Sequence, residues 1–296
     1  ENWKNEDFKD LTAIIILYKS TNLVLSLFNT LKNINVIVVD NGGNKKILNK
    51  IASYENIKII SKNKNLGYGR GVNYAFKFVK TKYFITLNPD VIIDEANINK
   101  LLKNIRKFMN CVIISPVTRP DEDFYGIFPE KGKGVLRNKI EEKCSKDLHK
   151  KEIEGLACVD VVKTVASIVN CELFERIGMF NENYFLFWEE IDLCRSASKH
   201  KLSVIIDNNA EAFHQISSST KKNYSTFFIR AYHSELSPLI YFKVKKKDKI
   251  LYWRMLKYIF RFFMYLIIFN FNNSIKNFAK LLANINYIFK DNIENK

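Results

Sequence analysis

The chain has 296 residues, long enough for one large domain or one domain with an appendage, and its 47% apolar content supplies a core, which argues against intrinsic disorder. Lys and Arg outnumber Asp and Glu by 47 to 31, a formal charge of +16, so the expected partners are anionic: nucleic acid, nucleotide phosphates or an acidic membrane surface. The five cysteines (Cys111, Cys144, Cys158, Cys171, Cys194) include no C-x-x-C pair and are odd in number, which argues against a disulfide framework or a structural zinc site.

In chain order, the N-terminus "ENWKNEDFKD" has neither the basic region nor the apolar core of a secretory signal, and with the cysteine usage it sets the expectation of a reducing cytoplasm. The run "LTAIIILYKS" is short, continuous and β-branched, as expected of a strand buried on both faces. A helix-compatible stretch from Leu23 to Leu31 leads to a second buried strand, "INVIVVDNGG", stopped by Asp40, Asn41 and two glycines. A third strand at "NIKIISKNKN" is followed by the glycine-bearing "NLGYGRGVNYAFKFVKT", which opens a helix, and then by "YFITLNPD". Strands alternating with helices at this pitch predict βαβ units and a mainly parallel sheet flanked by helices. Ligands of such sheets sit at the carboxyl ends of the strands, where Asp40, Asn65 and Asp90 fall.

Residues 119–160 are charged and glycine-dotted and read as a mobile loop with irregular pieces. The apolar block "VVKTVASIVNCELFERIGMF" returns to the core and delivers the chain to "FLFWEEIDLCRSA", and a short strand, "KLSVIIDNNAEAFHQ", ends at His214. Aromatics and lysines dominate from about Thr220. Between Tyr241 and Arg261 there are six Lys and two Arg against one Asp, and Lys247, Arg254 and Arg261 recur every seven residues with Lys257 beside them, which predicts a cationic stripe on one helical face. Only Phe262 to Phe269 is uninterrupted apolar sequence, far short of the ~20 residues of a bilayer span, so an interfacial helix on an anionic membrane surface is expected.

Three features carry chemistry. Glu189, Glu190 and Asp192 begin a predicted helix directly after Phe185, Leu186, Phe187 and Trp188, a flank expected to desolvate a carboxylate and raise its pKa as a general base requires. The simpler reading is an acidic helix start that complements the dipole, with Asp192 pairing Arg195 three residues on. Asp90 in "NPD" is either a metal ligand or turn chemistry, and His214, after a later strand, is a second candidate for metal or phosphate. Gly67, Gly69 and Gly71 do not have the G-x-G-x-x-G spacing of a dinucleotide site, and there they permit close backbone approach to a phosphate, with Arg70 supplying charge.

In order and spacing, "VVDNGG", "NLGYGRGVN", "LNPD", "GMFNENYFLFWEEIDLCRS" and "FHQISSS" resemble the family-2 glycosyltransferases of GT-A fold, most closely the bacterial rhamnosyltransferase-like branch. The resemblance covers residues 11 to about 220 and implies a GT-A domain over 8–220 with a basic, aromatic, helical, membrane-associating region over 221–296. It implies that Asp40 contacts the base or ribose of a nucleotide sugar with Tyr18 nearby, and that Asn65, Gly67, Arg70, Asn73 and Asn88 shape the nucleotide and diphosphate wall. Asp90 then stands for the metal-binding end of the family's D-x-D element, holding Mg²⁺ or Mn²⁺ with help from His214. Glu190 is the implied base, Glu189 its partner and Asp192 a structural acid, although the pair reads Glu-Glu where the family reads Glu-Asp. The implied reaction is inverting transfer of a sugar, rhamnose from dTDP-rhamnose being favoured, to a glycan acceptor, lipid-linked in surface polysaccharide assembly, at the cytoplasmic face of the membrane. A sugar nucleotidyltransferase is the rival enzyme; it calls for a glycine-rich loop with Arg directly after the first strand, where this chain reads "LYKSTN". A non-catalytic nucleotide- or lipid-binding protein is the other rival. Nucleic acid is not expected as a partner, because the strand-end acids would repel its backbone.

Overall fold

The computed structural model describes residues 6–42, 45–119, 128, 155–215 and 224–289. Most of the loop expected over 119–160, Cys144 and the end of "FHQISSS" lie outside the described residues. In chain order the elements are β1 (Leu11–Leu17), α1 (Val24–Thr30), β2 (Asn35–Asp40), α2 (Lys45–Ile51), β3 (Ile57–Ser61), α3 (Gly69–Phe76), β4 (Tyr83–Leu87), β5 (Val91–Ile92), α4 (Glu95–Ile105), β6 (Cys111–Arg119), β7 (Leu156–Cys158), β8 (Ala166–Asn170), α5 (Cys171–Arg176), α6 (Glu189–Lys199), β9 (Ser203–His214), α7 (Tyr224–Tyr241), α8 (Lys249–Ile267) and α9 (Phe271–Phe289). They divide into two compact units, one holding the sheet with α1 to α6, the other holding α7 to α9 together with residues 182–189. A linear division at residue 220 would leave residues 182–189 with the sheet.

The strands form one sheet in the order β3-β2-β1-β4-β8-β6-β9-β5, with β7 on β9. Successive side chains of a strand point to opposite faces, so β1 feeds two cores at once. Leu11, Ala13, Ile15 and Leu17 join Val36, Val38, Ile85 and Leu87 in a buried cluster with residues of α1, α2 and α4. On the opposite face Phe84 of β4 meets Phe76 of α3 and Phe174 of α5, with ring centroids 5.1–5.6 Å apart. Each fully buried Val, Leu, Ile or Phe among them contributes roughly 1.5–3 kcal/mol. Caps fix where helices begin: the Asp94 carboxylate accepts from the amide of Asn97 at 2.7 Å, and the Asn170 side chain accepts from Leu173 at 3.2 Å.

The sheet is mixed, which corrects the expectation of a mainly parallel one. β3, β2, β1 and β4 are mutually parallel, whereas β8 runs antiparallel to both β4 and β6. The stretch preceding β8 lies over the end of β4: the Asn88 amide donates to the Val165 carbonyl and the Thr86 hydroxyl to the Thr164 carbonyl. A strand that starts where its neighbour ends must run back along it. β9 is longer than expected and carries a register shift: Pro116 of β6 faces Asp207, but Val117 faces Glu211. Asp207 fills this bulge, accepting from the Asn104 side chain at 2.7 Å and the Asn209 amide at 3.0 Å.

In the helical unit the expected cationic stripe is kept only in part: Lys257 and Arg261 are exposed on α8, but the other two members are not. Lys247 precedes α8, whose N-cap is Asp248. Arg254 turns inward to pair with buried Glu235 of α7, which also accepts from the Tyr258 hydroxyl (2.7 Å) and from Asn284 of α9 (3.0 Å). A seven-residue spacing fixes a helical face and does not say whether that face points in or out; a buried carboxylate captured this one. No helix among the described residues is long and apolar enough to cross a membrane.

Candidate active site

Parallel registry brings the carboxyl ends of β1, β2 and β3 to one edge, with Leu17 beside Asp40 and Asp40 beside Ser61. Beyond β1, Tyr18 is half-buried against Gly42, and the Lys19 amide donates to the Gly42 carbonyl at 3.0 Å. Gly42 closes the β2 turn at φ +102°, its amide donating to the Asp40 carboxylate at 3.0 Å. Asp40 thus keeps a fixed, partly exposed position at the end of its strand. The Asn65 side-chain oxygen Oδ1 accepts from the amide of Gly67, which sits at φ +79°. Buried Asn41 clamps this loop from below, its side chain accepting from Leu66 (3.3 Å) and donating to Gly67 (2.8 Å). Asn41 was legible only as a strand-stopping residue, and its role required knowing that β2 and the Gly67 loop are neighbours. Arg70 lies in the first turn of α3, partly exposed.

Asn73, expected in the nucleotide wall, makes a buried structural contact. Its amide donates to the Phe180 carbonyl (2.8 Å) and its oxygen accepts from the Phe180 amide (3.1 Å), stapling buried α3 to the segment that leads toward the acidic helix. Asn73→Ala leaves both Phe180 groups buried without these partners and should lower unfolding free energy by about 2–3 kcal/mol, read from chemical denaturation.

Asn88 and Asp90 follow β4, and Asp90 is buried. The two-residue β5 pairs antiparallel with the end of β9, Val91 facing His214. This pairing carries His214 Nε2 to 3.3 Å from Asp90 Oδ1 and lets the Gln215 amide donate to the Asp90 carbonyl at 2.9 Å. An imidazole nitrogen and a carboxylate oxygen, both mostly shielded from water, form a donor set that fits Mg²⁺ or Mn²⁺ only as an open site completed by other oxygens. Among the described residues no cluster of three or more His, Cys, Asp or Glu is placed to close such a site with protein ligands alone.

The acidic segment is more constrained than its sequence indicated. Phe187 and Trp188 both adopt positive φ, +68° and +71°, immediately before α6, a conformation that costs non-glycine residues about 1–3 kcal/mol each and that surrounding packing must enforce. Within the helical unit, Phe185 stacks on His233 (4.7 Å), the Ser237 hydroxyl donates to the Leu186 carbonyl (2.8 Å), and Trp188 packs on Tyr241 (5.0 Å). The flank expected to desolvate the carboxylates is therefore an anchor to α7. Glu189, buried, belongs to that unit, and the division falls between it and Glu190.

Glu190 opens the sheet unit's part of α6. Burial raises its pKa above the ordinary carboxylate value, while its own backbone amide and the charge of Lys163 pull it back. One turn along, the Cys194 thiol is hydrogen-bonded to the Val162 backbone, which holds α6 against the segment carrying Lys163. Nothing in the residue pattern marks Lys163, an ordinary lysine far from Glu190 in the chain. Asp192 accepts from the Asn181 side chain at 3.2 Å, and Arg195 lies over the Phe128 ring at 5.5 Å. The thiols of Cys111, Cys171 and Cys194 are pushed up to about 12 by burial, which removes them as nucleophiles at neutral pH.

Residues 13–157 match the family described as glycosyl transferase family 2. The low-salt glycan biosynthesis hexosyltransferase Agl10 of Haloferax volcanii is 28% identical over 200 residues, 66% of this chain and 64% of the relative, so the match spans less than two thirds of that protein. The dTDP-rhamnosyl transferase RfbF of Shigella flexneri is 25% identical over 74% of this chain and 68% of its own length. Among solved structures, the mannosyltransferase PcManGT of Pyrobaculum calidifontis, in complex with GDP-Man and Mn²⁺, superposes with a TM-score of 0.56 at 12% identity, over 94% of this chain and 72% of that one, a likeness of fold.

Proposed function

The chain belongs to glycosyl transferase family 2, and from that premise we propose that it is an inverting, metal-dependent glycosyltransferase that moves a sugar from a nucleotide donor to a lipid-linked glycan in surface polysaccharide biosynthesis. Rhamnose from dTDP-rhamnose is the favoured donor, given the relative from Shigella flexneri, and the proposed working place is the cytoplasmic side of an anionic membrane surface. The observation that carries the reading is the meeting of Asp90 and His214 at 3.3 Å, two separated motifs brought together just after β4; a nucleoside diphosphate bound there would need such a metal-holding pair as its counter-charge. Tyr18 and Asp40 would hold the nucleoside, and the Asn65–Arg70 loop with Asn88 would wall in the diphosphate.

In this reading Glu190 removes the proton of an acceptor hydroxyl as its oxygen attacks the anomeric carbon from the face opposite the diphosphate. The bond to the acceptor oxygen forms as the bond to the phosphate oxygen breaks, the electron pair leaves with the nucleotide, and the configuration inverts in one displacement. Glu189, the adjacent acid, supports the placement of Glu190. Mg²⁺ or Mn²⁺ held by Asp90 and His214 would neutralise the charge that grows on the departing nucleoside diphosphate. Titrating the protein with dTDP, UDP, GDP and ADP, each with and without Mn²⁺, tests the reading. Metal-dependent binding of one nucleotide supports it, and binding of none by folded protein overturns it.

Lys163 supplies a pH prediction. Its charge lowers the pKa of Glu190, so Lys163→Met removes a lowering influence and the pKa rises further. A base must be deprotonated to act, hence the acidic limb of the kcat/KM profile should move to higher pH, while Lys163→Arg should leave it in place.

A further inference from the structure

Helix α8 has its polarity reversed relative to a helix that covers a water-facing domain. Its charged Arg254 is only 16% exposed, paired with Glu235 inside the unit, and its buried Tyr258 joins the same network. Its outer face carries Trp253, Leu256, Phe260, Phe263 and Ile267, at successive spacings of three and four residues; Trp253, Phe260 and Ile267 are 71%, 70% and 75% exposed. The turn after it adds Phe269, 79% exposed, and Phe271 opens α9 on the same apolar theme. Contiguous apolar surface of this kind is rare on monomeric soluble proteins.

The surroundings of this face identify what covers it. Lys243, Lys245, Lys247 and Lys249 are exposed at the start of the helix, and Lys257 and Arg261 are exposed along it. Lys257 is held below the ordinary lysine pKa by partial burial and by the neighbouring charges of Arg261 and Arg254, a sign of local positive excess. A second copy docking symmetrically would bring these cations against their equals, in a chain that already carries +16. Anionic lipid headgroups complement them, and acyl chains complement the aromatic face. At about 1.5 Å per residue the 19-residue helix is roughly 28 Å long, but no helix among the described residues meets the requirement of a span, so the fitting orientation is in the plane of the membrane.

We propose that α8 inserts its Trp253–Phe260–Ile267 face into the headgroup and acyl boundary of an anionic bilayer, with the lysines at its start and along its flank contacting the lipid phosphates. This deepens the membrane part of the function proposed above, and it rests on the helical unit alone. Attachment depends mainly on apolar insertion, so it differs from a purely electrostatic contact: salt weakens it without abolishing it.

The test uses the full chain with vesicles of phosphatidylcholine alone or mixed with phosphatidylglycerol, read by co-sedimentation at low and high salt and by quenching of tryptophan fluorescence by brominated lipid. Wild type should bind the anionic vesicles, retain part of that binding in high salt, and show quenching that Trp253→Phe reduces. The triple change Trp253→Ser, Phe260→Ser, Phe263→Ser, all at exposed positions, should weaken partition by more than about tenfold, and the single Phe260→Asp should weaken it in the same direction. No partition by wild type, equal partition by both variants, or binding abolished by salt would overturn the proposal, as would self-association of wild type in place of vesicle binding. The transferase reading is scored separately by Mn²⁺-dependent nucleotide binding in the absence of vesicles. Vesicle-binding variants lost to partition should keep it, and its absence in wild type would remove that reading while leaving the lipid face standing.

Discussion

Glu190→Gln is expected to lower turnover by about 10²–10⁴-fold while leaving nucleotide binding intact, the signature of a lost general base in a preserved pocket. The substitution keeps the shape of the side chain and removes only its ability to accept a proton. Because burial already penalises the charged form of Glu190, a neutral isostere at this place should not destabilise the fold, so a loss of activity can be read as chemistry. Unfolding midpoint and nucleotide affinity measured beside turnover separate the two. Glu189→Gln is the companion experiment: it sits in the other compact unit and is buried, and a smaller effect on turnover is expected from it. Near-normal turnover in Glu190→Gln with a collapse in Glu189→Gln would move the base by one residue; normal turnover in both would sink the mechanism.

Asp90→Ala is expected to weaken Mn²⁺-dependent nucleotide binding by at least about tenfold to a hundredfold and to abolish the difference between titrations with and without metal. His214→Ala should act in the same direction. Because Asp90 and His214 lie 3.3 Å apart and would serve one ion, the double variant should lose less than the sum of the two single losses. Removing metal from wild type with a chelator should reproduce the effect of Asp90→Ala on nucleotide binding. Binding that is strong in wild type, independent of metal, and unchanged in Asp90→Ala would leave the Asp90–His214 pair as an ion pair that joins β5 to β9 and would end the metal-dependent part of the reading.

The elements most legible in the sequence were those whose signal is local. "LTAIIIL", "NVIVVD" and "YFITL" are short runs dominated by apolar, β-branched and aromatic residues, and each is a largely buried strand at the expected place, because a strand buried on both faces needs such residues on both. Asp40, Asn65 and Asp90 could be located at strand ends or just after them by the turn residues around them. What those runs could not carry was direction. β8 reads as one more apolar block, and only its pairing with β4 and β6 shows that it runs antiparallel. α4 and β6, which the sequence reading passed over, close the sheet's second half, and β6 supplies the bulged partner of the strand that ends at His214.

The site divides in the same way. Residue types and motif order put Asp90, His214 and Glu190 on the page, since the chemistry of a carboxylate or an imidazole belongs to the residue itself. Contact belongs to the fold: strand pairing between β5 and β9 brings His214 to Asp90, a bond between the Cys194 thiol and the Val162 backbone sets α6 beside the Lys163 segment, and Asn73 bonds the Phe180 backbone. The C-terminal helices make the distinction plainest. Their sequence determined that lysines and aromatics would be abundant and that α8 would be amphipathic, but periodicity fixes a face only relative to the helix axis. Which face turns inward was decided by a buried carboxylate on another helix, Glu235, whose need for a counter-charge drew Arg254 into the unit and left the aromatic residues outside.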